Sequence, residues 1–318
     1  MSDLIQLNVF PVKDVLKILL QDKTTKQNII WATDAYSDSG YQDRDQITME
    51  ALLGLDPVRL QPRISKTLAE QQERTRKKAE VMTPVWICNK MNNYADEQWF
   101  GRPDVFNHEN EDHSWTVTEG PISFSEGKSW KDYVDSRRLE ITCGEAPYLV
   151  SRYDTTTGEL IEPPPRRIGL LDRKLRIVNE NTASIDEWMK WAERAFESCY
   201  GYEYQGDNLL IARINLLMTY WDYYRDCWGE DPDKKTLAHI AHIIAWNIWQ
   251  MDGLKDTVPL GKIGPDPEEE GYAPSLFELF PTAMQVEETE KEKVALYCRI
   301  YDWRADGTVT FKSCKERG

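Results

Sequence analysis

Acidic side chains lie within or directly after three of the strands that the sequence predicts: Glu140, Glu203 and Asp252. In doubly wound α/β domains the ligand lies outside the carboxyl ends of the strands. A carboxylate at such an end accepts two hydrogen bonds from ribose hydroxyls, as we expect for Glu203. It also accepts from an exocyclic amine, as we expect for Asp252. Glu203 and Asp252 are therefore candidates for binding a nucleoside.

The strand that carries Glu140 leads into a turn of small residues. Residues 139–149 read Leu-Glu-Ile-Thr-Cys-Gly-Glu-Ala-Pro-Tyr-Leu. Cys143, Gly144 and Ala146 would let the backbone approach a ligand closely. Taken singly, each such residue is more often an ordinary strand end, a surface acid or a turn. Only their order along the chain makes them candidates for a site.

Amphipathic helices between these strands must position the acids. Ser184 and Glu187 form a capping box, behind which apolar residues recur at three-and-four spacing. We expect Asp207 to cap a second apolar helix and Asp231-Pro232 to begin a third. Strands and helices that alternate through short connections predict an α/β domain with a largely parallel sheet. The strands are predicted at residues 137–144, 200–204 and 247–251.

The first 78 residues predict less regular structure. Residues 28–32 are apolar and predict a strand or a buried turn. Residues 59–78 predict a solvated helix, and the basic cluster at residues 70–78 is expected to be one of its exposed faces.

Three further stretches complete the middle of the chain. Thr83-Pro84 predicts a helix start, with the hydroxyl as cap and proline at the first helical position. Residues 101–130 are polar and loop-like. Residues 153–183 predict a loop or hairpin excursion, because the run Pro163-Pro164-Pro165 opposes a long regular element.

The chain changes character after Leu254. Residues 255–292 are acidic and contain proline, which predicts an excursion from the core. Residues 296–303 and 308–312 flank Ala305-Asp306-Gly307 and predict a β-hairpin.

The composition bears on the class of function. The 318 residues carry a formal net charge of −15. A surface this acidic repels phosphate and lacks the basic footprint of a DNA-binding module, so another polypeptide must make most contacts to any DNA substrate. There is no apolar run of about 20 residues, and the amino terminus lacks the features of a signal peptide. We expect a cytoplasmic protein that makes no membrane contact.

Histidine and cysteine residues do not predict a metal site. The six cysteines are dispersed, which favours reduced thiols. His239 and His242 lie three apart on one predicted helix, but without a third ligand we expect packing or surface positions for both.

The order of these features resembles a known family. Residues 140–149, Glu-x-x-Cys-x-x-x-Pro-Tyr-Leu, look like the first cofactor motif of the gamma-type adenine-N6 methyltransferases of bacterial restriction-modification systems, including fused restriction enzymes. Residues 200–203, with the helix around 210–216, are similar to the second motif, and residues 247–254 resemble the third. Residues 79–84, Ala-Glu-Val-Met-Thr-Pro, look like the Thr-Pro motif that precedes the first strand.

The resemblance implies a Rossmann-like, S-adenosylmethionine-dependent methyltransferase fold. This fold would be a partial three-layer α/β/α arrangement with an N-terminal extension and a C-terminal β-hairpin. The chain would divide into the extension (1–78), the cofactor-binding half of the core (79–254), the acidic excursion (255–292) and the hairpin (293–318).

The resemblance also implies roles for individual residues around S-adenosylmethionine. Thr83 would lie near the methionine end and Glu140 against its amino group, while Glu203 would hold the ribose. Asp252 would accept from the adenine amine, with Gly253 keeping the approach open. Ala146 departs from the family, where glycine is usual. The backbone turn would be formed by Cys143, Gly144 and Ala146.

One family motif is missing from this sequence. Adenine-N6 transfer in the family depends on an (Asn/Asp/Ser)-Pro-Pro-(Tyr/Phe) tetrapeptide that binds the flipped base, and residues 162–165, Glu-Pro-Pro-Pro, do not match it. We therefore assign no catalytic residue and expect a subunit that is inactive alone. A second methyltransferase subunit would supply the motif, the DNA-recognition region and most DNA contacts. A non-catalytic S-adenosylmethionine-binding regulatory or scaffold protein and an acidic DNA mimic remain as alternatives.

Overall fold

The computed structural model describes residues 4–78, 80, 83–263 and 294–317. Within them the chain is a mixed α/β protein with one parallel three-stranded sheet and several two-stranded ones. Its helices are α1 (Val12–Leu19), α2 (Met49–Leu53), α3 (Leu68–Lys78), α4 (Val85–Phe100), α5 (Trp130–Asp135), α6 (Leu170–Asn181), α7 (Ile185–Glu197), α8 (Gly206–Trp228), α9 (Lys234–Asn247) and α10 (Phe311–Arg317). Its strands are β1 (Asn107–Glu109), β2 (Trp115–Val117), β3 (Arg138–Glu140), β4 (Cys199–Glu203), β5 (Ile248–Gln250), β6 (Lys262–Ile263), β7 (Val294–Ala295), β8 (Arg299–Asp302) and β9 (Gly307–Thr310).

The parallel sheet has the order β3-β4-β5. Glu140 lies opposite Gly201, and Glu203 lies opposite Gln250. Strand β4 therefore extends two residues beyond β3 at the carboxyl edge. All three predicted strands are confirmed, and so is their parallel arrangement.

Helices α7, α8 and α9 pack with this sheet in the main apolar core. Helix α1 belongs to the same core and contacts α8 and α9, burying Leu16 and Leu19. The opposite face of the sheet is covered by the β8–β9 hairpin and α10. There the Phe311 ring packs 5.8 Å from Tyr202 and 5.3 Å from Trp249 between centroids.

The three predicted amphipathic helices are confirmed, but two of them begin differently. The Ser184 side chain accepts from the Glu187 amide at the start of α7. Asp207 does not cap α8, whose N-cap is Gln205, because its carboxylate is buried in an ion-pair cluster instead. Helix α9 is capped by Asp233, two residues after the predicted start.

The predicted helix after Thr83 is also confirmed, with a different start. Pro84 is the N-cap of α4 rather than its first residue, and no side chain caps the helix. The Thr83 hydroxyl therefore does not have the capping role that the sequence suggested.

Two stretches expected to be irregular contain regular elements. Within residues 153–183 a short bridge pairs Tyr153 with Leu160, as a hairpin excursion predicts, but α6 follows the prolines. Within residues 101–130 the strands β1 and β2 form an antiparallel pair. Both elements are stabilised by contacts to distant parts of the chain that no local pattern shows.

The expected exposed basic face on residues 70–78 is wrong at its centre. Arg74 is only 5% exposed, because its guanidinium forms ion pairs with Glu80 and Asp207. The C-terminal hairpin is confirmed, although Phe311 begins a helix rather than continuing β9. Most of the predicted acidic excursion, residues 264–292, lies outside the described residues, as do positions 79, 81 and 82 of the Thr-Pro motif.

Candidate functional site

Two buried acids mark the carboxyl edge of the parallel sheet. Glu140 is the last residue of β3 and Glu203 is the last residue of β4. The two residues are only 8% and 7% exposed. The strands are adjacent and parallel, so both carboxylates reach the same edge of the sheet. The sequence predicted a strand at each of these acids but not that the two strands are neighbours.

Both acids bind the loop that follows β3. Glu140 accepts from the Tyr148 amide at 3.3 Å and from the Leu149 amide at 3.0 Å, one on each carboxylate oxygen. Glu203 accepts from the Gly144 amide at 2.9 Å and from the Gln205 amide at 3.1 Å, again one on each oxygen. Each oxygen keeps a second lone pair for another donor. The two acids thus fix the loop and retain acceptor capacity.

The loop itself has an unusual backbone. Thr142, Gly144 and Ala146 have φ angles of 45°, 54° and 65°, in the left-handed region that favours glycine. Alternating left-handed residues turn successive amides toward one side and form concavities that suit polar or anionic groups. Ala146 adopts this conformation although it carries a Cβ and is fully buried.

Burial sets the electrostatics of the pair. Burial raises the pKa of Glu140, and the charge of the nearby Glu203 acts in the same direction. The two amide donors lower it, and the resulting pKa is about 8. Burial also raises the pKa of Glu203, whose two amide donors act in the opposite direction. In the part of the chain that the structure describes, neither acid forms an ion pair with a cationic side chain. A site of this kind favours a cationic ligand, because a cation would stabilise the charged form of the acids.

Cys143 and Thr83 take different positions relative to this loop. Cys143 is 2% exposed, and burial raises the pKa of its thiol well above the usual value, which favours the neutral thiol over the thiolate. Only its backbone serves the loop, through bonds to Tyr202 and Ala146. The Thr83 carbonyl accepts from Thr155 Oγ1 at 3.0 Å.

Tyr148 connects Thr83 to the acids. Burial raises the pKa of the Tyr148 hydroxyl, and a hydrogen bond with the Thr83 side chain opposes that shift. The Tyr148 amide in turn donates to Glu140. The structure therefore brings Thr83 to the same loop as Glu140 across more than fifty residues of sequence.

Asp252 and Gly253 lie just beyond β5. One Asp252 oxygen accepts from the Leu254 amide at 3.1 Å, and the other lies 3.4 Å from the Lys255 ammonium. A Cβ at position 253 would lie 2.8 Å from the Tyr202 ring. The glycine thus allows the turn to lie against that ring, and Asp252 is partly engaged in the turn itself.

Sequence reasoning missed the groups that support the loop from behind. Glu145 is buried and accepts from the Tyr153 hydroxyl at 2.6 Å and the Arg63 amide at 2.7 Å. Asn215 on α8 donates to the Glu145 carbonyl and to the Tyr153 hydroxyl, each at 3.1 Å. These contacts span up to 82 positions, so no local signal indicated them.

The N-terminal residues also contribute to this edge, which the sequence did not indicate. The Gln250 amide group bonds both the backbone nitrogen and the backbone oxygen of Ile30, at 2.9 Å and 2.8 Å. The Gly206 amide donates to the Trp31 carbonyl at 2.9 Å. A Cβ at position 206 would collide with the Ile30 carbonyl oxygen, so only glycine permits this approach. The segment predicted as a strand or buried turn therefore lies over the start of α8, beside Glu203.

Comparison with known proteins gave no match to a protein-family model, a curated protein or a solved structure. Among the described residues, no helix combines the length and apolar character of a membrane span. The same residues contain no cluster of three or more His, Cys, Asp or Glu side chains that could hold a metal ion. His239 pairs with Glu193 at 2.9 Å, and His242 lies between Lys23 and Trp246.

Proposed function

We propose that this chain is the S-adenosylmethionine-binding subunit of a split DNA adenine-N6 methyltransferase of a restriction-modification or phage-defence system. The observation that supports it most is the pair of buried acids, Glu140 and Glu203, at adjacent parallel strand ends. Both bind one left-handed loop, and no cationic side chain of the described residues neutralises either of them. Glu140 and Glu203 thus have acceptor capacity to spare and no cationic partner among the described residues.

The donor set fits this cofactor. The ammonium group of its methionine part would supply the positive charge that Glu140 lacks. The ribose diol would use the second lone pairs of Glu203, and Asp252 has capacity for an adenine amine. A Rossmann-like arrangement is supported by the parallel order β3-β4-β5 with helices in the connections. The cofactor supplies the methyl group for transfer.

This chain's residues would bind and orient the cofactor but would not perform the transfer. Glu140 and Glu203 set the loop conformation before the ligand arrives, which lowers the cost of ordering it on binding. The chemistry on adenine requires contacts to a flipped base. We assign those contacts, with the DNA-recognition region, to a partner that carries an Asn-Pro-Pro-Tyr type of motif. The net charge of −15 supports a division of labour in which the partner binds most of the DNA.

Calorimetric titration of the purified chain with S-adenosylmethionine tests the proposal. Glu203→Gln should weaken binding roughly ten- to hundredfold, because it removes a charged acceptor worth about 1.5–3 kcal/mol. Glu197→Gln is the matched control, since Glu197 lies before the amino end of the same strand and pairs with Arg194. It should bind as the unchanged chain does. An acidic DNA mimic would show no binding in any of the three.

The second half of the test is transfer. The chain is mixed with the candidate partner, duplex DNA and labelled cofactor, and methyl-adenine is measured. We expect label in DNA only when both polypeptides are present. Cofactor binding without transfer in any mixture would favour the regulatory or scaffold alternative.

A further inference from the structure

Lys23 is a buried lysine in the loop that follows α1, and it is only 8% exposed. Its Nζ atom lies 2.6 Å from Gln21 Oε1, 3.3 Å from His242 Nδ1 and 6.0 Å from the centre of the Trp246 ring. Among the residues that the structure describes, no carboxylate forms an ion pair with it. Lys23 has therefore lost most of its contact with water without gaining a negative partner.

The indole of Trp246 determines the tautomer of His242. Trp246 Nε1 lies 3.3 Å from His242 Nε2, and an indole nitrogen only donates. His242 Nε2 must therefore accept, because two donors facing each other would leave both N–H groups unpaired. The ring is neutral, since a protonated ring donates from both nitrogens and burial lowers the pKa of His242. The one ring proton then lies on Nδ1, the atom that faces Lys23.

This tautomer determines the form of Lys23. An ammonium group has three donors and no acceptor, so it would place an N–H group against the Nδ1 proton of His242. A neutral amine satisfies both contacts. Its lone pair accepts from His242 Nδ1, and one of its N–H groups donates to Gln21 Oε1. The contacts of Lys23 therefore favour the nucleophilic form of the side chain.

The charges around Lys23 act in the same direction. Burial lowers the pKa of Lys23 to about 8, the charges of Arg213 and Lys26 lower it too, and Asp22 opposes them. Arg213 is fully buried, and its guanidinium donates to the backbone carbonyls of residues 19, 21, 245 and 248. No carboxylate of the described residues forms an ion pair with Arg213. A negative charge at Lys23 would be stabilised by both neighbouring cations.

We propose that Lys23 is a carboxylation site, whose amine binds carbon dioxide covalently as a carbamate. The amine lone pair forms the N–C bond. One C–O π bond of carbon dioxide breaks, its electron pair becomes the carboxylate charge, and the proton lost from nitrogen goes to solvent. The remaining N–H still donates to Gln21 Oε1, and His242 Nδ1 donates to a carbamate oxygen.

Charge and access select this electrophile. The carbamate is an anion and is stabilised by Arg213 and Lys26, whereas an aldehyde would give a neutral or cationic imine that gains nothing from these charges. The low exposure of Lys23 favours an electrophile of very few atoms.

The carboxylation site lies away from the candidate cofactor site. Arg213 donates to the carbonyl of Ile248, the first residue of β5. Glu140 and Glu203 are instead the last residues of β3 and β4. In a parallel sheet these positions lie at opposite edges. The carboxylation proposal therefore does not depend on the proposed function.

Chemical trapping tests for the carbamate. The full chain is equilibrated with ¹³C-labelled bicarbonate as the source of carbon dioxide at about pH 7.5, where a substantial part of an amine with a pKa near 8 is neutral. Triethyloxonium ion then converts any carbamate to a stable ethyl ester, which mass spectrometry locates after digestion. We expect the labelled ester on Lys23. Lys17, which is exposed on α1, is the control position and should carry at least about tenfold less label.

Trp246→Phe tests the tautomer. Without the indole N–H, His242 is free to place its proton on Nε2 and to accept from an ammonium group at Lys23 through Nδ1. Trapping at Lys23 should fall several-fold. Competitive acetylation from about pH 6 to about pH 10 should show half-maximal labelling of Lys23 at a higher pH than in the unsubstituted chain. Loss of the stronger cation–π partner would shift that midpoint the other way.

Trp303→Phe is the matched control. It also removes an indole N–H, which donates to Asn247 Oδ1 rather than to a histidine, and it should leave both readouts at Lys23 unchanged.

The outcomes separate this proposal from the proposed function. Absence of the ester from Lys23, or an equal amount on Lys17, would overturn the carboxylation site. A labelling midpoint that falls or stays constant in Trp246→Phe would overturn the assignment of the neutral amine. Binding of S-adenosylmethionine should be the same with and without bicarbonate, and its absence would overturn the proposed function alone.

Discussion

Two buried acids only four positions apart, Glu203 and Asp207, have opposite environments. Glu203 is surrounded by backbone amides, and burial raises its pKa. Burial would also raise the pKa of Asp207, but the charges of Lys66 and Arg74 outweigh it and hold that pKa well below the usual value. A charge that the fold neutralises serves stability, and one that it leaves unneutralised at a strand end favours a ligand role. This contrast separates the structural acid from the candidate binding acids.

The first prediction removes the neutralised acid. Asp207→Asn leaves Lys66 and Arg74 without their shared partner, which lies 3.3 Å and 2.9 Å away. Breaking such a pair costs about 3–5 kcal/mol, measured by urea unfolding at neutral pH. Asp38→Asn, at an exposed acid nearby, is the control. A loss below about 1 kcal/mol would show that the cluster is not structural and would remove the contrast.

The sign of the pH dependence follows from the lowered pKa of Asp207. An acid whose pKa is lower in the folded state than in the unfolded state stabilises the folded protein at pH values above its unfolded-state pKa. That contribution is lost as the pH falls below about 4. The free energy of unfolding of the unsubstituted chain should therefore drop in acid more than that of Asp207→Asn.

The elements around these acids were predictable where burial follows apolar spacing. Helices α7, α8 and α9 have apolar faces, and the predicted strands β3 and β4 are present and end at Glu140 and Glu203. Helix α6 was not predicted, because its buried face carries charged residues that interrupt the three-and-four spacing of apolar residues. Arg173 pairs with Asp96, and Lys174 donates to the Ser198 hydroxyl.

The chemistry of the candidate edge was less predictable than its location. The motif order located Glu140, Gly144 and Glu203 together, and the structure joins Gly144 to Glu203 directly. Arg74 and Asp207 are 133 positions apart in the sequence. Because the local pattern around Arg74 does not show this partner, it predicted that Arg74 is exposed. Long-range ion pairs of this kind depend on the completed fold.

The second prediction concerns the unneutralised acid with the higher pKa. Glu140 has a pKa of about 8 in the free chain, and only its charged form attracts an ammonium group. Affinity for S-adenosylmethionine should therefore rise with pH, roughly twentyfold from about pH 6 to about pH 7.5. The cofactor's own amino group stays mostly protonated over that range. Calorimetry in two buffers of different ionisation enthalpy measures the proton released.

Glu140→Gln provides the control for this dependence. The variant should bind weakly at every pH and release no proton. An unsubstituted chain whose affinity does not change over the range would contradict the assignment of Glu140 to the cofactor's ammonium group. It would leave Glu203 and the ribose unaffected.

The third prediction has the smallest effect and concerns the loop that both acids fix. Ala146 is buried with φ at 65°, a conformation that costs a residue with a Cβ about 1–2 kcal/mol. In Ala146→Gly, relief of that strain stabilises the folded protein. Two effects oppose it: the loss of a buried methyl group costs about 0.8 kcal/mol, and the greater freedom of the unfolded chain costs about 0.4–1 kcal/mol. Stability should stay within about 1 kcal/mol of the unsubstituted chain on this balance, and cofactor affinity within threefold.

Ala146→Val should behave differently, because a β-branched residue is a strong outlier at positive φ and the position is fully buried. We expect the free energy of unfolding in urea to fall by more than about 2 kcal/mol. Cofactor binding should weaken in proportion to the fraction of the protein that is no longer folded. If valine were tolerated as well as glycine, the left-handed conformation at this position would not be required. The two acids would then stabilise the loop without determining its shape.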